Sequence, residues 1–305
     1  MKVSVVVCTY SPDMYEHFTE AVESLFAQTY DNVEVVIVVD GNDELAERVE
    51  DDYGERDDVL VHANDENVGL LKSRNTGAEI ATGDVVAFID DDAVADERWV
   101  EKLVSAYEEH DTEAAGGRMT PVWVAGKPSF LPEEFYWLVG VTHRGFGDEG
   151  EVRNTFGSNI SFRRDIFLEL DGFDTNIGGR KGDKNLQGGE TELCARLRSE
   201  LDGAVYYNPD AKVGHKVFEY RTQPVWLLKR AFWQGYSKRA METLVDEPGD
   251  EESAFLGDLL LRFMPDRLRN AVTEPSWTEA KKFVMLGVLT ACVGFGYLYA
   301  FSRWR

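Results

Sequence analysis

Val85-Val86-Ala87-Phe88-Ile89-Asp90-Asp91-Asp92 decides the fold. An unbroken apolar run from Val85 to Ile89 reads as a strand buried on both faces, because a strand with one wet face alternates. The run ends abruptly in three carboxylates, so the strand's carboxyl end forms a polar rim. Three adjacent like charges repel one another, and they stand together when solvated or when a cation holds them. Hard oxygen ligands suit Mg2+ or Mn2+, ions that share coordination with substrate phosphates. An acidic turn in an acidic protein produces the same letters, so the surrounding sequence has to decide.

Working outward, the first hundred residues alternate short apolar strands with helical periods. Strands are expected at 3–8, 33–39, 59–62 and 85–89, and helices at 19–26, 44–53 and 70–80. That alternation predicts a parallel sheet covered on both faces. Ligands sit beyond the carboxyl ends of such strands, and these ends carry Thr9-Tyr10, Asp40 and Asp90 to Asp92. Upstream of the acidic triplet lie Asn67-Val68-Gly69, Arg74-Asn75, Gly77 and Gly83. Small residues let backbone approach a ligand, and an Arg can clamp a phosphate with a forked pair of bonds.

In this order the motifs resemble the nucleotide-binding half of family 2 glycosyltransferases: Val3 to Tyr10, Val38-Val39-Asp40-Gly41, Asn67-Val68-Gly69, Lys72 to Gly77, and Phe88 to Asp92. The resemblance extends over most of residues 1–240. It implies a GT-A fold, a Rossmann-like α/β sheet with helices on both faces, and a nucleotide-sugar donor. Thr9, Tyr10, Asp40, Asn67, Arg74, Asp90 and Asp91 would then line the nucleotide. Asp90 and Asp92 would form the DxD pair that holds Mn2+ or Mg2+, with His215 of Val213-Gly214-His215-Lys216 approaching the same metal.

The second half continues the likeness. Gly157 to Arg164, followed by Gly172-Phe173-Asp174, resembles the segment lining the sugar and acceptor side, which nominates Asn159. Gly188-Gly189-Glu190-Thr191-Glu192 resembles the family's acidic motif, whose base is usually the second of two consecutive acids. Gly189 replaces the first, Glu190 takes the base position, and Glu192 is the substitute. A carboxylate in the first turn of a helix, at the mouth of a Gly-rich loop, is suited to face a cleft. Arg230 to Ser237 recurs in non-processive relatives, and no QxxRW motif occurs. The expected chemistry is one in-line displacement with inversion. Glu190 deprotonates an acceptor hydroxyl while the metal offsets charge on the departing nucleoside diphosphate. Arg180, Lys181 and Lys184 form a basic loop before Glu190, suited to a uronate carboxylate or an acceptor phosphate.

Composition bounds the partners. Lys and Arg number 32 against 56 Asp and Glu, a net charge of -24, which repels nucleic acid. The acid is spread along the chain rather than gathered in one tail, as in proteins of salt-rich cytosol. Cys8, Cys194 and Cys292 lie far apart without a CxxC, which predicts neither a zinc site nor a disulfide framework.

Phe283 to Phe301 contains no charged residue and no proline, with Lys281-Lys282 before it and Arg303 and Arg305 after it. At about 1.5 Å per residue this just reaches across a bilayer, which predicts a single crossing helix near the C-terminus. Phe255 to Leu268 reads as an amphipathic helix beside the membrane. The expected division is a nucleotide-sugar half at 1–98, an acceptor-binding half of the same domain at 99–245, a linker and juxtamembrane helix at 246–280, and the membrane segment at 281–305.

A membrane-held dolichyl or polyprenyl phosphate glycan fits as acceptor, with the transferase half in the cytoplasm. With its acidity, the chain resembles haloarchaeal transferases that build the lipid-linked glycan for protein N-glycosylation. Three alternatives stay open on the residues: a transferase for exopolysaccharide or another cell-surface glycan, a nucleotidyltransferase, and a sugar-nucleotide-binding protein without catalysis.

Overall fold

The computed structural model describes residues 1–177, 180–181, 184–245, 255–273 and 276–304. The chain separates into two compact units. The first comprises Met1–Thr120, Asp148–Gly179 and Gly189–His215, and the second Pro121–Gly147, Arg180–Gly188 and Lys216–Arg305.

The first unit opens with β1 (Val3–Thr9), α1 (Tyr15–Phe26), β2 (Val33–Asp40), α2 (Asp43–Tyr53), β3 (Val59–Asn64), α3 (Leu70–Ile80) and β4 (Val85–Asp90). β1 lies between β2 and β4 and β3 flanks β2, all parallel, with Val3 opposite both Val33 and Val85. β1 is buried along its whole length and β2 from its second residue, as expected of strands covered by helices on both sides. The helices earn their places by period and by cap. In α2, Leu45, Val49 and Tyr53 recur at helical spacing on the buried face, and Asn42 accepts the Leu45 N–H to close the first turn. In α3, Gly77 lies so close to β1 that a Cβ would meet Val6 at 2.5 Å.

The parallel sheet expected of the first hundred residues holds from β1 to β4, and beyond β4 the sheet changes character. After β5 (Ala93–Ala95), α4 (Trp99–His110), β6 (Ala114–Trp123) and β7 (Gly150–Val152), the chain enters β8 (Ile160–Arg163), which pairs antiparallel with both β4 and β6. β8 is not reached by a single helical crossover, so nothing forces it parallel. It is followed by α5 (Arg164–Glu169), a two-residue hairpin pair β9 (Arg180–Lys181) and β10 (Lys184–Asn185), α6 (Gly189–Leu201) and β11 (Val205–Val217). The strand order of the main sheet is β3-β2-β1-β4-β8-β6-β11-β5, with β7 on β11. Phe88, Phe162, Phe167 and Phe173 pack ring to ring beneath β4 and β8, with centroids 5.2–5.6 Å apart for most pairs.

The second unit holds a 3-10 segment (Glu133–Val139), α7 (Pro224–Leu244), a π-helical stretch (Leu259–Phe263), α8 (Met264–Thr273) and α9 (Trp277–Phe301). Pro265 has no N–H to offer the preceding turn, and the helix widens just before it. α9 is the one described helix long and apolar enough to cross a membrane by length and composition.

Candidate active site

The site grows from the carboxyl ends of β1, β2 and β4. Thr9 is buried at the end of β1, and Tyr10 beside it is 60 % exposed. Asp40, at the end of β2, accepts the Val68 and Gly69 N–H groups at 2.9 Å each and the Asn64 amide at 3.0 Å. Its carboxylate therefore ties down the loop that leads into α3. Gly41 is required at this turn: its φ is +68°, and a Cβ there would strike the Asn67 backbone nitrogen. Asn67 is exposed on that loop and its amide donates to the Asp40 carbonyl.

Asp90 ends β4, and its N–H donates to Ser158 Oγ at 2.9 Å. Asp91 and Asp92 follow. The short strand β5 then pairs with β11 so that Ala93 faces His215. That register brings the His215 Nε2 to 3.4 Å from Asp92 Oδ1. Ligand atoms of Asp90, Asp92 and His215 lie within 4.8 Å of one another. Burial pushes the Asp91 carboxyl up to about 7, and the charges of Asp90 and Asp92 push the same way. One of its oxygens is buried without a hydrogen-bond partner. Crowded carboxylates with an imidazole, short of positive charge on one side, fit a divalent cation with oxygen and nitrogen preferences such as Mn2+ or Mg2+.

Positive charge on the other side comes from Arg74. It extends from α3, is 2 % exposed, and donates to Asp90 Oδ1 at 2.6 Å and to Glu190 Oε1 at 3.1 Å. One guanidinium thus joins the acidic strand end to the first turn of α6. Gly157 makes room for this: a Cβ there would stand 2.0 Å from Glu190 Oε1 and 2.9 Å from Arg74 Nη1. Gly189 faces Leu71, and a Cβ there would come to 2.8 Å of its methyl. The glycine at this position therefore serves packing of α6 against α3, and the carboxylate that remains is Glu190.

Not every expected residue reaches the cleft. Asn159 is wholly buried; its carbonyl accepts from the Trp99 indole at 2.8 Å and its amide donates to the Ala211 carbonyl at 2.9 Å. It therefore braces β8, α4 and β11 and presents no free polar atom to a sugar. Glu192 is buried on α6 in an ion pair with Arg196, whose guanidinium also donates to the Gly172 carbonyl at 2.7 Å. The side chains of Arg180, Lys181 and Lys184 lie outside the described residues. Two contributors were not anticipated. Ser158 fixes the backbone of Asp90, and Asn64 links Asp40 to Ser73 of α3 through hydrogen bonds of 3.0 Å. Ser158 stands beside Asn159 in the Gly157 to Arg164 run, so its neighbourhood was marked although its part was not. Asn75 exchanges two 2.9 Å hydrogen bonds with the Phe173 backbone, which joins the Arg74-Asn75 and Gly172-Phe173-Asp174 segments.

With this geometry in view, comparison with known proteins is informative. The glycosyl transferase family 2 model matches residues 4–171. A glucosyl-dolichyl phosphate glucuronosyltransferase of Haloferax volcanii is 56 % identical over 301 residues, covering 98 % of this chain and 96 % of its own. Among solved structures, the mannosyltransferase PcManGT of Pyrobaculum calidifontis, in complex with GDP-Man and Mn2+, superposes with a TM-score of 0.60 at 17 % identity, covering 98 % of this chain and 87 % of that one. Residues 1-349 of TarS from S. aureus, in complex with UDP-GlcNAc, give 0.56 at 18 % identity, covering 96 % and 82 %. The likeness to these structures is one of fold, GT-A in kind. From the family match and the full-length relative together, the chain belongs to glycosyl transferase family 2 and is a glycosyltransferase.

Proposed function

We propose that the chain transfers a hexuronic acid, glucuronate in the first instance, from a UDP-linked donor to a glucosylated dolichyl or polyprenyl phosphate. The reaction is non-processive, inverting and metal-dependent, on the cytoplasmic side of a membrane to which the C-terminal helices attach the chain. The product belongs to the lipid-linked glycan used for protein N-glycosylation. The substrate class follows the full-length relative's name. The single observation that carries the chemistry is Arg74, which spans Asp90 and Glu190 and so holds the Glu190 carboxylate beside the Asp90–Asp92–His215 cluster.

In this mechanism Tyr10 and the Asp40-anchored loop hold the nucleoside, and Asp90, Asp92 and His215 hold Mn2+ or Mg2+. When bound, the cation offsets negative charge on the departing diphosphate. Arg74 fixes Glu190 through Oε1, leaving Oε2 to take the proton of the acceptor hydroxyl as that oxygen attacks the anomeric carbon from the face opposite the diphosphate. Inversion follows, so an α-linked donor yields a β-linked product.

The test is release of nucleoside diphosphate from a panel of UDP-, GDP- and dTDP-sugars, with a glucosyl phospho-polyprenol acceptor, at high salt and with Mn2+ or Mg2+. Metal-dependent release selective for UDP-glucuronate is expected. Selective turnover of another donor refutes the sugar assignment, and nucleotide binding without release from any donor refutes catalysis.

A further inference from the structure

Two helices of the second unit bury a charge against protein and expose apolar side chains. In α8 Arg267 is buried: it donates to Glu133, to Glu134 Oε2 at 3.0 Å and to Glu279 Oε2 at 3.0 Å, and Glu134 is itself fully buried. On the same helix Leu268 and Val272 are exposed, Val272 by 72 %, beside the exposed Arg269 and Asn270. α9 repeats the pattern. Lys282 is buried against Glu133 Oε1 at 2.9 Å and begins an inward stripe of Leu286, Leu289, Gly296 and Ala300. The outward stripe is Val284, Val288, Ala291, Phe295, Leu298 and Phe301, all exposed and without a polar member. Leu260 and Leu261, in the widened turn before α8, are exposed as well. On α9 the buried Lys282 and the outward apolar stripe invert the arrangement that water selects.

The inward face of α9 is occupied by α7. A Cβ on Gly235 would fall 1.9 Å from the Val293 carbonyl oxygen, and one on Gly296 would fall 1.8 Å from that of Phe232, so the two backbones touch. Small residues at such a crossing are how helices pack closely where lipid surrounds them. Farther along, Glu242 accepts from the Tyr297 hydroxyl at 2.7 Å and the Arg239 guanidinium lies 4.2 Å from the Phe301 ring centre. α7 also carries Lys229, Arg230 and Lys238. A helix bound to this partner along its second half cannot cross hydrocarbon without drawing those charges in after it. Nearby charge has the sign that an anionic leaflet attracts. From Phe255 to Arg305 seven residues are basic and four acidic, in a chain with 32 basic and 56 acidic residues; Arg267 and Lys282 are buried in ion pairs, and Arg262, Arg269, Lys281 and Arg303 are exposed.

We propose that α8 and α9 form an in-plane docking face: they lie along one leaflet of an anionic bilayer, with the outer stripe of α9 in the acyl boundary and α7 shielding its inner side. Length and hydropathy qualify α9 for a crossing; the packing against α7 assigns it this orientation instead. The proposal rests on the membrane attachment put forward above. Its test reads topology and not transfer, so either can fail alone.

The full chain carrying Cys292→Ser is given a single cysteine at either exposed end of α9, by Thr278→Cys or Ser302→Cys. Sealed inside-out and right-side-out vesicles from expressing cells are treated with a membrane-impermeant maleimide. Both cysteines label in inside-out vesicles and neither labels in right-side-out ones until detergent is added. Labelling of the two ends from opposite sides overturns the proposal. As a second measurement, Val288→Asp with Phe295→Asp, two exposed positions, lowers the membrane-sedimented fraction about tenfold while the near-UV circular dichroism is unchanged. Full retention on membranes, or pairing of two chains through this face without lipid, overturns it as well.

Discussion

Replacing Gly157 with Ala tests the core of the site with one methyl group. The added Cβ would stand 2.0 Å from Glu190 Oε1, where ordinary contact begins near 3.4 Å. The carboxylate has to retreat by more than about 1 Å, and it can, because its side chain is 25 % exposed and opens toward solvent. Folding therefore loses little. The Arg74–Glu190 pair is partly screened by water and contributes about 1 kcal/mol or less, a fall in Tm of roughly 2–4 °C for a domain of this size. Catalysis loses more, because misplacing a reacting group by about 1 Å costs on the order of 100-fold, or about 2.7 kcal/mol of barrier. The assay is initial-rate diphosphate release over a range of donor concentrations, with donor affinity measured separately by calorimetry. The expected result is a kcat about 100-fold lower with donor affinity within threefold of wild type. Gly257→Ala, which would meet nothing within 4 Å, serves as the unaffected control. A kcat for Gly157→Ala within threefold of wild type refutes the placement of Glu190 as base.

Three further expectations follow from the same geometry. Arg74→Met leaves the carboxylates of Asp90 and Glu190 facing each other without their shared cation; since both are partly exposed, the loss of stability is about 1–3 kcal/mol, read from the urea midpoint, and it is partly recovered by added Mn2+. His215→Ala removes one of three clustered ligand atoms and weakens Mn2+ binding about 10- to 100-fold by calorimetry or by electron paramagnetic resonance of free Mn2+, while Glu190→Gln leaves it within threefold. Glu34 is pH-dependent: burial raises its pKa, but bonds from Lys2, Ser4 and Thr82 outweigh this and bring it down to about 2. Its folded value lies below its unfolded one, so its contribution is present above about pH 4.5 and fades as pH falls toward 2. Glu34→Gln therefore lowers the urea midpoint at pH 7, and the gap to wild type narrows at pH 4; a gap that widens contradicts this account.

Much of the nucleotide-binding half is legible from sequence because its signals are local. The run from Val85 to Ile89 is apolar because it is covered on both faces, and α3 occupies residues 70–80 as its period predicts. The antiparallel half is not legible in the same way. β11 includes Asn208-Pro209-Asp210, whose letters announce a turn, and Asp210 N–H indeed donates to Asn208 Oδ1 within the strand. Pairing of β11 with the distant strands β5, β6 and β7 keeps that segment extended, and pairing partners are not written in a strand's own letters. The site divides along the same line. The carboxylates and Arg74 are marked by their motifs, but Asn159 shares a motif with Ser158 while the fold sends its side chain into the core. Glu192 and Glu190 are both acids in one helical turn, and only the position of Arg196 assigns Glu192 to an ion pair. Helix α9 shows the limit of composition. Its letters specify apolar surroundings, and contacts with α7 such as those of Gly235 and Gly296 show that one side of it is protein.

The most direct test of the central claim is product formation from UDP-glucuronate and a glucosyl phospho-polyprenol, followed by mass spectrometry and by NMR of the new anomeric proton. The account predicts a product heavier by one hexuronate, β-linked, formed with Mn2+ or Mg2+, abolished by chelator and by Glu190→Gln, with UDP binding retained in that variant. An α-linked product, or undiminished turnover in Glu190→Gln, would contradict it.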